Sequence, residues 1–286
     1  MASLLCLIFL ILSIAFYTMV ERKVLGLMMM RLGPNKPSFL GLLVPLMDAL
    51  KLLTKNKINL KFGVNFYMNI GPMMSFMLML LLWGIMPLSS KESCIWSLLW
   101  FMCLSGLGVY SVFLSGWGSD SKFSFMGALR AVAQTISYEV SLGILLICLV
   151  VNISSFDLDD FKKFPSLLYW SSFLFIIWLI SCLMETNRAP FDLSEGESEL
   201  VSGFNTEYGS LKFALLFLGE YGIMIFLSLL TSIMFYYMGM MVLFPMIAIF
   251  FIWARSAYPR MRYDSMMKFM WKIILPVVLS FLTILI

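Results

Sequence analysis

The sequence predicts an all-α fold: a polytopic membrane helical bundle of about eight transmembrane helices, with one further amphipathic helix lying in the interface. Two observations lead to this class. Of the 286 residues, 61% are hydrophobic and 13% are charged, whereas a soluble domain is about 25% charged. The mean hydropathy is +0.94, and the apolar residues fall in repeated runs of about 20, the length that crosses a bilayer as a helix. We therefore expect residues 1–286 to form a single integral membrane domain.

Eight apolar runs are the predicted spans. Helices are expected because a segment in lipid must pair its backbone polar groups internally. The first run has no basic segment ahead of it and no clear cleavage site, which favours a retained span over a signal peptide. In chain order, the spans cover residues 2–20, 66–87, 94–114, 131–151, 167–184, 213–237, 241–256 and 269–286.

The distribution of Lys and Arg predicts the orientation of these spans. Sixteen of the 20 basic residues lie in or beside the connections that follow spans one, three, five and seven. The connections after spans two, four and six contain Lys91, Lys162 and Lys163. Because Lys and Arg accumulate in loops on the inner side of a membrane, we expect the odd-numbered connections to face the positive-inside compartment.

Residues 38–54, within the first connection, predict a helix that lies in the membrane interface. Apolar side chains recur at spacings of three and four, and charged side chains fall on the other faces. The alternative is a ninth span, which Pro45, Asp48 and Lys51 disfavour. The apolar positions are Phe39, Leu43, Leu46, Leu50 and Leu53.

Two carboxylates fall inside predicted spans: Glu139 in the fourth and Glu220 in the sixth. An ionised residue at the centre of a transmembrane helix costs about 2.5–3.5 kcal/mol on insertion scales. Each carboxyl is therefore either protonated or directed toward a polar interior. A proton or ion path would explain both residues. The alternative is a structural hydrogen bond between helices, which polar residues in membrane bundles commonly make.

Residues 185–212, which we call the acidic connection, join spans five and six and hold six of the chain's sixteen acidic residues. A helix start uses one or two carboxylates, and Ser194 with Glu197 has the spacing of a capping box. Six exceed that need, and like charges about 4 Å apart repel by roughly 4 kcal/mol at an effective dielectric near 20. Such a cluster suits groups that take up and release protons. The six are Glu185, Asp192, Glu195, Glu197, Glu199 and Glu207.

The composition excludes several kinds of site. The chain contains no histidine, which rules out a His-ligated metal or haem and any catalytic Ser–His or Cys–His pair. The cysteines are scattered without a CxxC pair, so we predict no iron–sulfur, zinc or other metal site. The small net charge of +4 forms no basic block of the kind that binds nucleic acid. The five cysteines are Cys6, Cys94, Cys103, Cys148 and Cys182.

The motifs of the chain resemble a known family. The acidic connection, "ETNRAPFDLSEGESELVSGFNTEY", closely resembles the corresponding loop of the subunit 1 family of NADH:ubiquinone oxidoreductase, the respiratory complex I. Further segments resemble the same family in the same order along most of the chain. They are "ERKVLG" and "RLGPN" at 21–35, "DALKLLTK" at 48–55, "RAVAQTISYEVSL" at 130–142, "FLGEY" at 217–221 and "YPRMRYD" at 258–264.

The resemblance implies a core membrane subunit that forms the ubiquinone access channel and the acidic path coupling quinone reduction to proton translocation. Ubiquinone would be the substrate, while NADH, FMN and the iron–sulfur clusters would belong to partner subunits. The expected partners are the peripheral-arm subunits of the quinone site, neighbouring membrane-arm subunits and membrane lipid. The expected location is the mitochondrial inner membrane, with the odd-numbered connections facing the matrix.

The resemblance also assigns residues to the two roles. It implies that the acidic connection, together with Glu139 and Glu220, forms the coupling path. Met29 and Val44 stand where the family usually has Gln, which puts two polar contacts near the channel in doubt. The residues expected in or beside the quinone channel are Arg22, Arg31, Asp48, Arg188, Phe217, Arg255, Arg260 and Arg262.

Two other functions remain open at the level of the residues. A stand-alone proton or cation transporter would use Glu139 and Glu220 as ion sites, although it would normally show internal repeats, and we find none. The membrane anchor of an energy-converting hydrogenase shares a similar subunit design but uses no quinone. A purely structural anchor would leave the two intramembrane carboxylates unexplained.

Overall fold

The computed structural model describes residues 2–56, 65–87, 95–163, 172–194, 196, 200 and 202–285. Within these ranges the regular structure is helical and includes no strand, so the predicted all-α class is confirmed. The nine helices of the described ranges are α1 (Ala2–Met28), α2 (Val44–Thr54), α3 (Asn65–Gly84), α4 (Ser97–Gly118), α5 (Lys122–Ile153), α6 (Ser172–Glu185), α7 (Ser210–Phe235), α8 (Met240–Ala257) and α9 (Tyr263–Leu285). Short 3₁₀ turns cover Phe39–Gly41, Asp160–Lys163 and Gly203–Asn205.

Most of these helices have the length and composition of membrane spans. In the part of the chain that the structure describes, α1, α3, α4, α5, α7, α8 and α9 are each long and apolar enough to cross a bilayer. Helix α6 is apolar but has 14 residues. The predicted fifth span begins at residue 167, and residues 164–171 lie outside the described part of the chain. The architecture is therefore that of a multi-pass helical bundle.

Two helices extend past the bounds that the hydropathy of the chain predicts. Helix α1 continues to Met28, eight residues beyond the predicted end of the first span. Helix α5 begins at Lys122, nine residues ahead of the fourth span, where Ser121 caps it by accepting a hydrogen bond from the backbone N–H of Ser124. Because α1 is longer than expected, Glu21 lies within a helix and is buried against its neighbours.

Helix α9 contains one wide turn. The segment Met270–Ile274 is π-helical, and the N–H of Leu275 donates to the carbonyl of Met270. Pro276 has no N–H, and in a regular α-helix its ring would clash with the carbonyl of the residue four positions earlier. A π turn places that carbonyl elsewhere, so the helix passes the proline without a break.

The core of the bundle is built by close helix pairs. Helix α3 packs against α4 and α7, while α5 packs against α4, α6 and α9. A Cβ added to Gly71 would lie 2.9 Å from the backbone of Ser115, so α3 and α4 approach with their backbones nearly in contact. Small residues at such contacts allow the dispersion packing that associates helices in lipid. The large side chains Phe101, Trp178 and Phe226 fill the space on the buried side of these pairs.

Helix α2 lies against α1 and α7. Its cavity-facing residues include Pro45, Asp48, Ala49 and Leu52. The apolar positions predicted for the interfacial face point away from the rest of the chain and are exposed. This arrangement suits a helix with its outer face in lipid, and its interfacial placement stays a prediction.

Candidate functional site

A cavity of about 590 Å³, which we call the cleft, lies between α1, α2 and α7. Its volume is in the range of pockets that hold small organic ligands, about 300–1,000 Å³. Most of its wall is apolar and includes Ile11, Ile14, Leu52, Phe217 and Leu218. The polar groups of its lining include Glu21, Arg22, Asp48, Tyr221 and Arg255. The cleft is therefore amphipathic.

Arg22 and Asp48 join two walls of the cleft. The Nη1 of Arg22 on α1 donates to Oδ2 of Asp48 on α2 at 2.9 Å. The two side chains are 53% and 47% exposed, so solvent screens much of their attraction. The pair ties the amphipathic helix to α1 at low energetic cost to either residue.

Glu21 is the most buried carboxylate of the cleft, and three groups surround it. The Nη1 of Arg255 lies 2.5 Å from Oε1, and the hydroxyl of Tyr221 donates to Oε2 at 2.5 Å. Nη1 of Arg188 lies 3.7 Å from Oε1. A buried charge is tolerated only where it is paired and its remaining acceptor sites are satisfied. Glu21 meets that condition through partners on α7, on α8 and in the acidic connection.

Arg188 lies between two carboxylates. It follows α6 in the acidic connection and is buried. Its Nη1 is 3.7 Å from Glu21, and its Nη2 is 3.8 Å from Oε2 of Glu220. The guanidinium also lies over the ring of Tyr221, 4.5 Å from its centroid, within the range of a cation–π interaction. Glu21, Arg188 and Glu220 therefore form a continuous line of charge, which we call the charge bridge.

A second cavity, the polar cavity, lies on the far side of the charge bridge. Its volume is about 90 Å³, which is enough to hold water, since a cavity of roughly 10–15 Å³ already holds one molecule. Helices α3, α4, α5 and α7 and the acidic connection enclose it. Its polar lining includes Ser75, Ser105, Ser111, Thr135, Tyr138, Glu185, Asn187 and Glu220.

Glu139 lies beside this cavity on α5. Its charge and that of Glu185 are close enough to interact, and Tyr138 interacts with both. The carboxyl of Glu139 rests against Gly106 of α4. The structure therefore brings Glu139, Glu185 and Glu220, three of the predicted coupling residues, into one neighbourhood.

Hydrogen bonds hold both ends of the acidic connection on the bundle. The buried Nε2 of Gln134 donates to the carbonyls of Met184 and Phe191 at 3.1 and 3.0 Å. At the other end, the hydroxyl of Tyr208 donates to the carbonyl of Ser115 at 2.9 Å. Burial raises the pKa of Tyr208, which keeps this donor neutral. The polypeptide segment from the end of α6 to the start of α7 is thus tied to α4 and α5.

The acidic connection also contacts the segment between α8 and α9. Nη2 of Arg260 lies 3.2 Å from Oδ2 of Asp192, and the N–H of Met261 donates to the carbonyl of Pro190 at 2.9 Å. Glu207 is half-buried near the end of the connection. Three further carboxylates predicted for the path, Glu195, Glu197 and Glu199, lie outside the described residues.

The predicted channel residues divide into three groups. Arg22, Asp48, Phe217 and Arg255 line the cleft. Arg188 lies in the charge bridge, and Arg260 holds Asp192. Arg31 and Arg262 are exposed and are not among the described residues that line the cleft, and Arg262 pairs with Asp264 at 3.2 Å. The assignment of all eight residues to a quinone channel stays a prediction.

Sequence reasoning did not single out Glu21, Tyr221 or Gln134. The signal for Glu21 was its position one residue beyond the predicted first span, where a short extension of α1 brings its charge into the bundle. Tyr221 follows Glu220 directly but carries no charge. Gln134 is a polar residue inside the fourth span, where each amide also needs a partner.

The fold and these two cavities define a class: a polytopic helical membrane protein with an amphipathic cleft joined by charged side chains to a polar cavity that contains carboxylates. The family model described as NADH dehydrogenase matches residues 1–286. The chain therefore belongs to the NADH dehydrogenase family, and the resemblance drawn from its motifs is confirmed.

Relatives cover almost the whole chain. A protein of Aedes aegypti named "NADH-ubiquinone oxidoreductase chain 1" is 44% identical over 289 residues, which cover 98% of this chain and 92% of the relative. One of Lampetra fluviatilis with the same name is 44% identical over 302 residues, covering 99% and 93%. One of Metridium senile, also so named, is 41% identical over 295 residues, covering 96% and 88%.

Proposed function

We propose that this chain is a core membrane subunit of proton-translocating NADH:ubiquinone oxidoreductase. In this role it forms the ubiquinone access channel and the acidic path that couples quinone reduction to proton translocation. Family membership and the names of the relatives support the proposal. The observation that carries it is the charge bridge of Glu21, Arg188 and Glu220, which joins an amphipathic cleft to a polar cavity.

The cleft matches the chemistry of a quinone. A quinone has an apolar tail and a ring whose two carbonyl oxygens accept hydrogen bonds. The apolar wall can hold the tail, while Arg22 and Arg255 supply donors at the polar end, because each guanidinium has more N–H groups than its pairing with one carboxylate uses. Because the relatives' names include ubiquinone, this substrate is favoured over the quinone-free chemistry of a hydrogenase anchor.

The charge bridge provides a physical basis for coupling. Quinone reduction consumes two electrons and two protons, so charge in the cleft changes during each turnover. Arg188 is nearly equidistant from Glu21 and Glu220, and buried charges interact far more strongly than exposed ones. A change in charge near Glu21 therefore alters the balance at Glu220, and with it the proton affinity of the polar cavity.

The remaining parts of the proposal concern partners and location. The electrons come from partner subunits that hold NADH, FMN and the iron–sulfur clusters, and the acidic connection faces them from the matrix side. Glu195, Glu197, Glu199 and Glu207 belong with Glu185 and Asp192 to the start of the proton path. The chain resides in the mitochondrial inner membrane, in contact with neighbouring membrane-arm subunits and lipid.

Glu185→Gln tests the coupling role, because it removes a group that can take up and release a proton from the polar cavity at nearly constant volume. In the assembled oxidoreductase it should lower quinone-dependent NADH oxidation at least about tenfold, a barrier increase of about 1.4 kcal/mol. NADH oxidation by an artificial acceptor should persist, because the electron carriers of the partner subunits are untouched. Both rates are measured on the same membranes.

Asp160→Asn is the matched control, because Asp160 pairs with Lys163 on the surface, away from both cavities. It should leave both rates unchanged. Unaltered quinone activity in Glu185→Gln would count heavily against the proposed path. Ion transport by the purified chain alone in vesicles would instead favour a stand-alone transporter.

A further inference from the structure

Gly106 of α4 faces the carboxyl of Glu139 on α5. A Cβ added to Gly106 would overlap Oε1 of Glu139 and would lie 3.4 Å from its Cδ. The obstructed atoms form the far end of a flexible side chain. An alanine at this position would therefore displace the carboxyl and leave the two helix backbones where they are.

This contact differs from those of the glycines that pack helices together. A Cβ on Gly71 would meet the backbone of Ser115, and one on Gly118 would meet the backbone of Met68. Those two glycines set the distance between helices. Glycine inside a helix costs about 1 kcal/mol relative to alanine. At Gly106, the space that a side chain would fill is occupied by the carboxyl of Glu139.

The recess at Gly106 lies next to the wall of the polar cavity. Its helix neighbours Ser105 and Gly108 both line that cavity, as does Glu185. Glu139 and Glu185 interact electrostatically. The position of the Glu139 carboxyl against α4 therefore sets how closely its charge is coupled to the carboxylates of the cavity.

We propose that Gly106 is a positioning residue for proton coupling: its missing side chain leaves the recess that holds the Glu139 carboxyl beside the polar cavity. The inference rests on the proposed coupling role of Glu139. It predicts that proton transfer along the proposed path depends on where the Glu139 carboxyl lies as well as on its presence.

The test is Gly106→Ala in the assembled oxidoreductase. Protons translocated per ubiquinone reduced should fall by at least about threefold, because turnovers with a displaced Glu139 carboxyl would reduce quinone without moving protons along the proposed path. Assembly and the KM for ubiquinone should stay unchanged. Gly143→Ala is the matched control on the same pair of helices, because its Cβ would meet the flexible end of Met102 at 2.9 Å and no carboxyl. It should leave the proton ratio unchanged.

A shorter acid at position 139 separates positioning from packing. Glu139→Asp alone should lower the proton ratio, because the carboxyl no longer reaches the recess. Adding Gly106→Ala to it should lower the ratio no further, since the new methyl group then meets no carboxyl. Such non-additivity is the signature of two groups in direct contact. Should Gly106→Ala assemble poorly, normal assembly of the double variant with the ratio of Glu139→Asp would still support the inference.

The outcomes separate the inference from the function on which it rests. If Glu139→Gln abolishes pumping while Gly106→Ala preserves it, the recess is not needed and the inference is overturned. Equal losses in Gly106→Ala and Gly143→Ala, or a double variant in which the losses of Gly106→Ala and Glu139→Asp add, would overturn it as well. A normal proton ratio in Glu139→Gln would refute the coupling role of Glu139 itself.

Discussion

The cleft and the polar cavity lie on opposite sides of Arg188 and differ in size and in chemistry. Both walls are mostly apolar by area. The cleft measures about 590 Å³ and its polar groups include two arginines, while the polar cavity measures about 90 Å³ and gathers hydroxyls and carboxylates with no basic residue in its described lining. The first has the volume of a pocket for a small organic ligand, and the second is several times smaller and can hold water. In the proposed function, the difference teaches that the place where the quinone binds is separate from the place where protons are handled.

The charge balance of the two regions differs too. In the cleft, Glu21 is surrounded by Arg255, Arg188 and the hydroxyl of Tyr221. In the polar cavity, Glu185 interacts with Glu139, another acid. Paired charges hold a fixed structure, whereas neighbouring acids compete for protons. Arg188 is the element that both regions share.

The largest expected effect follows from removing that shared element. Arg188→Ala leaves Glu21 and Glu220 without the cation that lies between them. Breaking a buried pair in this way costs about 3–5 kcal/mol, so we expect poor assembly and a lower midpoint of heat inactivation of the complex. Quinone reduction and proton translocation should both be lost, because the variant disturbs both regions at once.

Arg262→Ala is the control for that variant. Arg262 and Asp264 form a pair whose side chains are 84% and 62% exposed, and such pairs contribute about 0–1 kcal/mol. Similar losses of stability in the two variants would show that the charge bridge has no special role in joining the regions.

An intermediate effect is expected from the hydroxyl that Tyr221 donates to Glu21. Hydrogen bonds to charged groups contribute about 1.5–3 kcal/mol, and those between neutral groups about 1 kcal/mol. Tyr221→Phe should therefore lower stability more than Tyr208→Phe, whose hydroxyl donates to the carbonyl of Ser115. It should also raise the KM for ubiquinone, because Tyr221 lines the cleft.

The comparison is measured by heat inactivation of the two variants and by their quinone kinetics. Tyr208→Phe should leave the KM for ubiquinone unchanged, since Tyr208 is not among the described residues that line the cleft. A higher KM in Tyr208→Phe than in Tyr221→Phe would mean that ligand binding is not confined to the cleft.

The smallest effect is expected at the rim of the cleft. Asp48→Asn breaks the half-exposed pair with Arg22 and should cost at most about 1 kcal/mol of stability. The loss should shrink further as salt is added, because salt screens exposed charges. Heat inactivation at low and high ionic strength measures it. A salt-independent loss above about 2 kcal/mol would place the pair among the buried charges.

Several parts of this structure could be predicted from the sequence because each depends on local composition. The apolar runs predict the helical class, and helices α7 and α8 begin and end within three residues of the predicted sixth and seventh spans. The extensions of α1 and α5 could not be predicted, because hydropathy measures the stretch inside lipid and a helix continues beyond it. Glu21 was missed for this reason.

The site could be predicted in part. The cost of charge in a membrane singles out Glu139 and Glu220 from the sequence alone. The position of Arg188 between Glu21 and Glu220 depends on how α1, α7 and the acidic connection face one another. Those three segments are far apart in the chain, and their rotation about the helix axes is decided by packing across the bundle. No local pattern in the sequence contains that information.

Cross-linking with a photoreactive ubiquinone analogue in the assembled oxidoreductase tests the central claim, that ligand binding and proton handling occupy separate regions. Mass spectrometry of the labelled chain should place the label on residues of the cleft wall, such as Leu25, Leu52 or Phe217. Excess ubiquinone should suppress the labelling. Labels on Leu104 or Val112, which line the polar cavity, or labels that avoid the cleft altogether, would contradict the account.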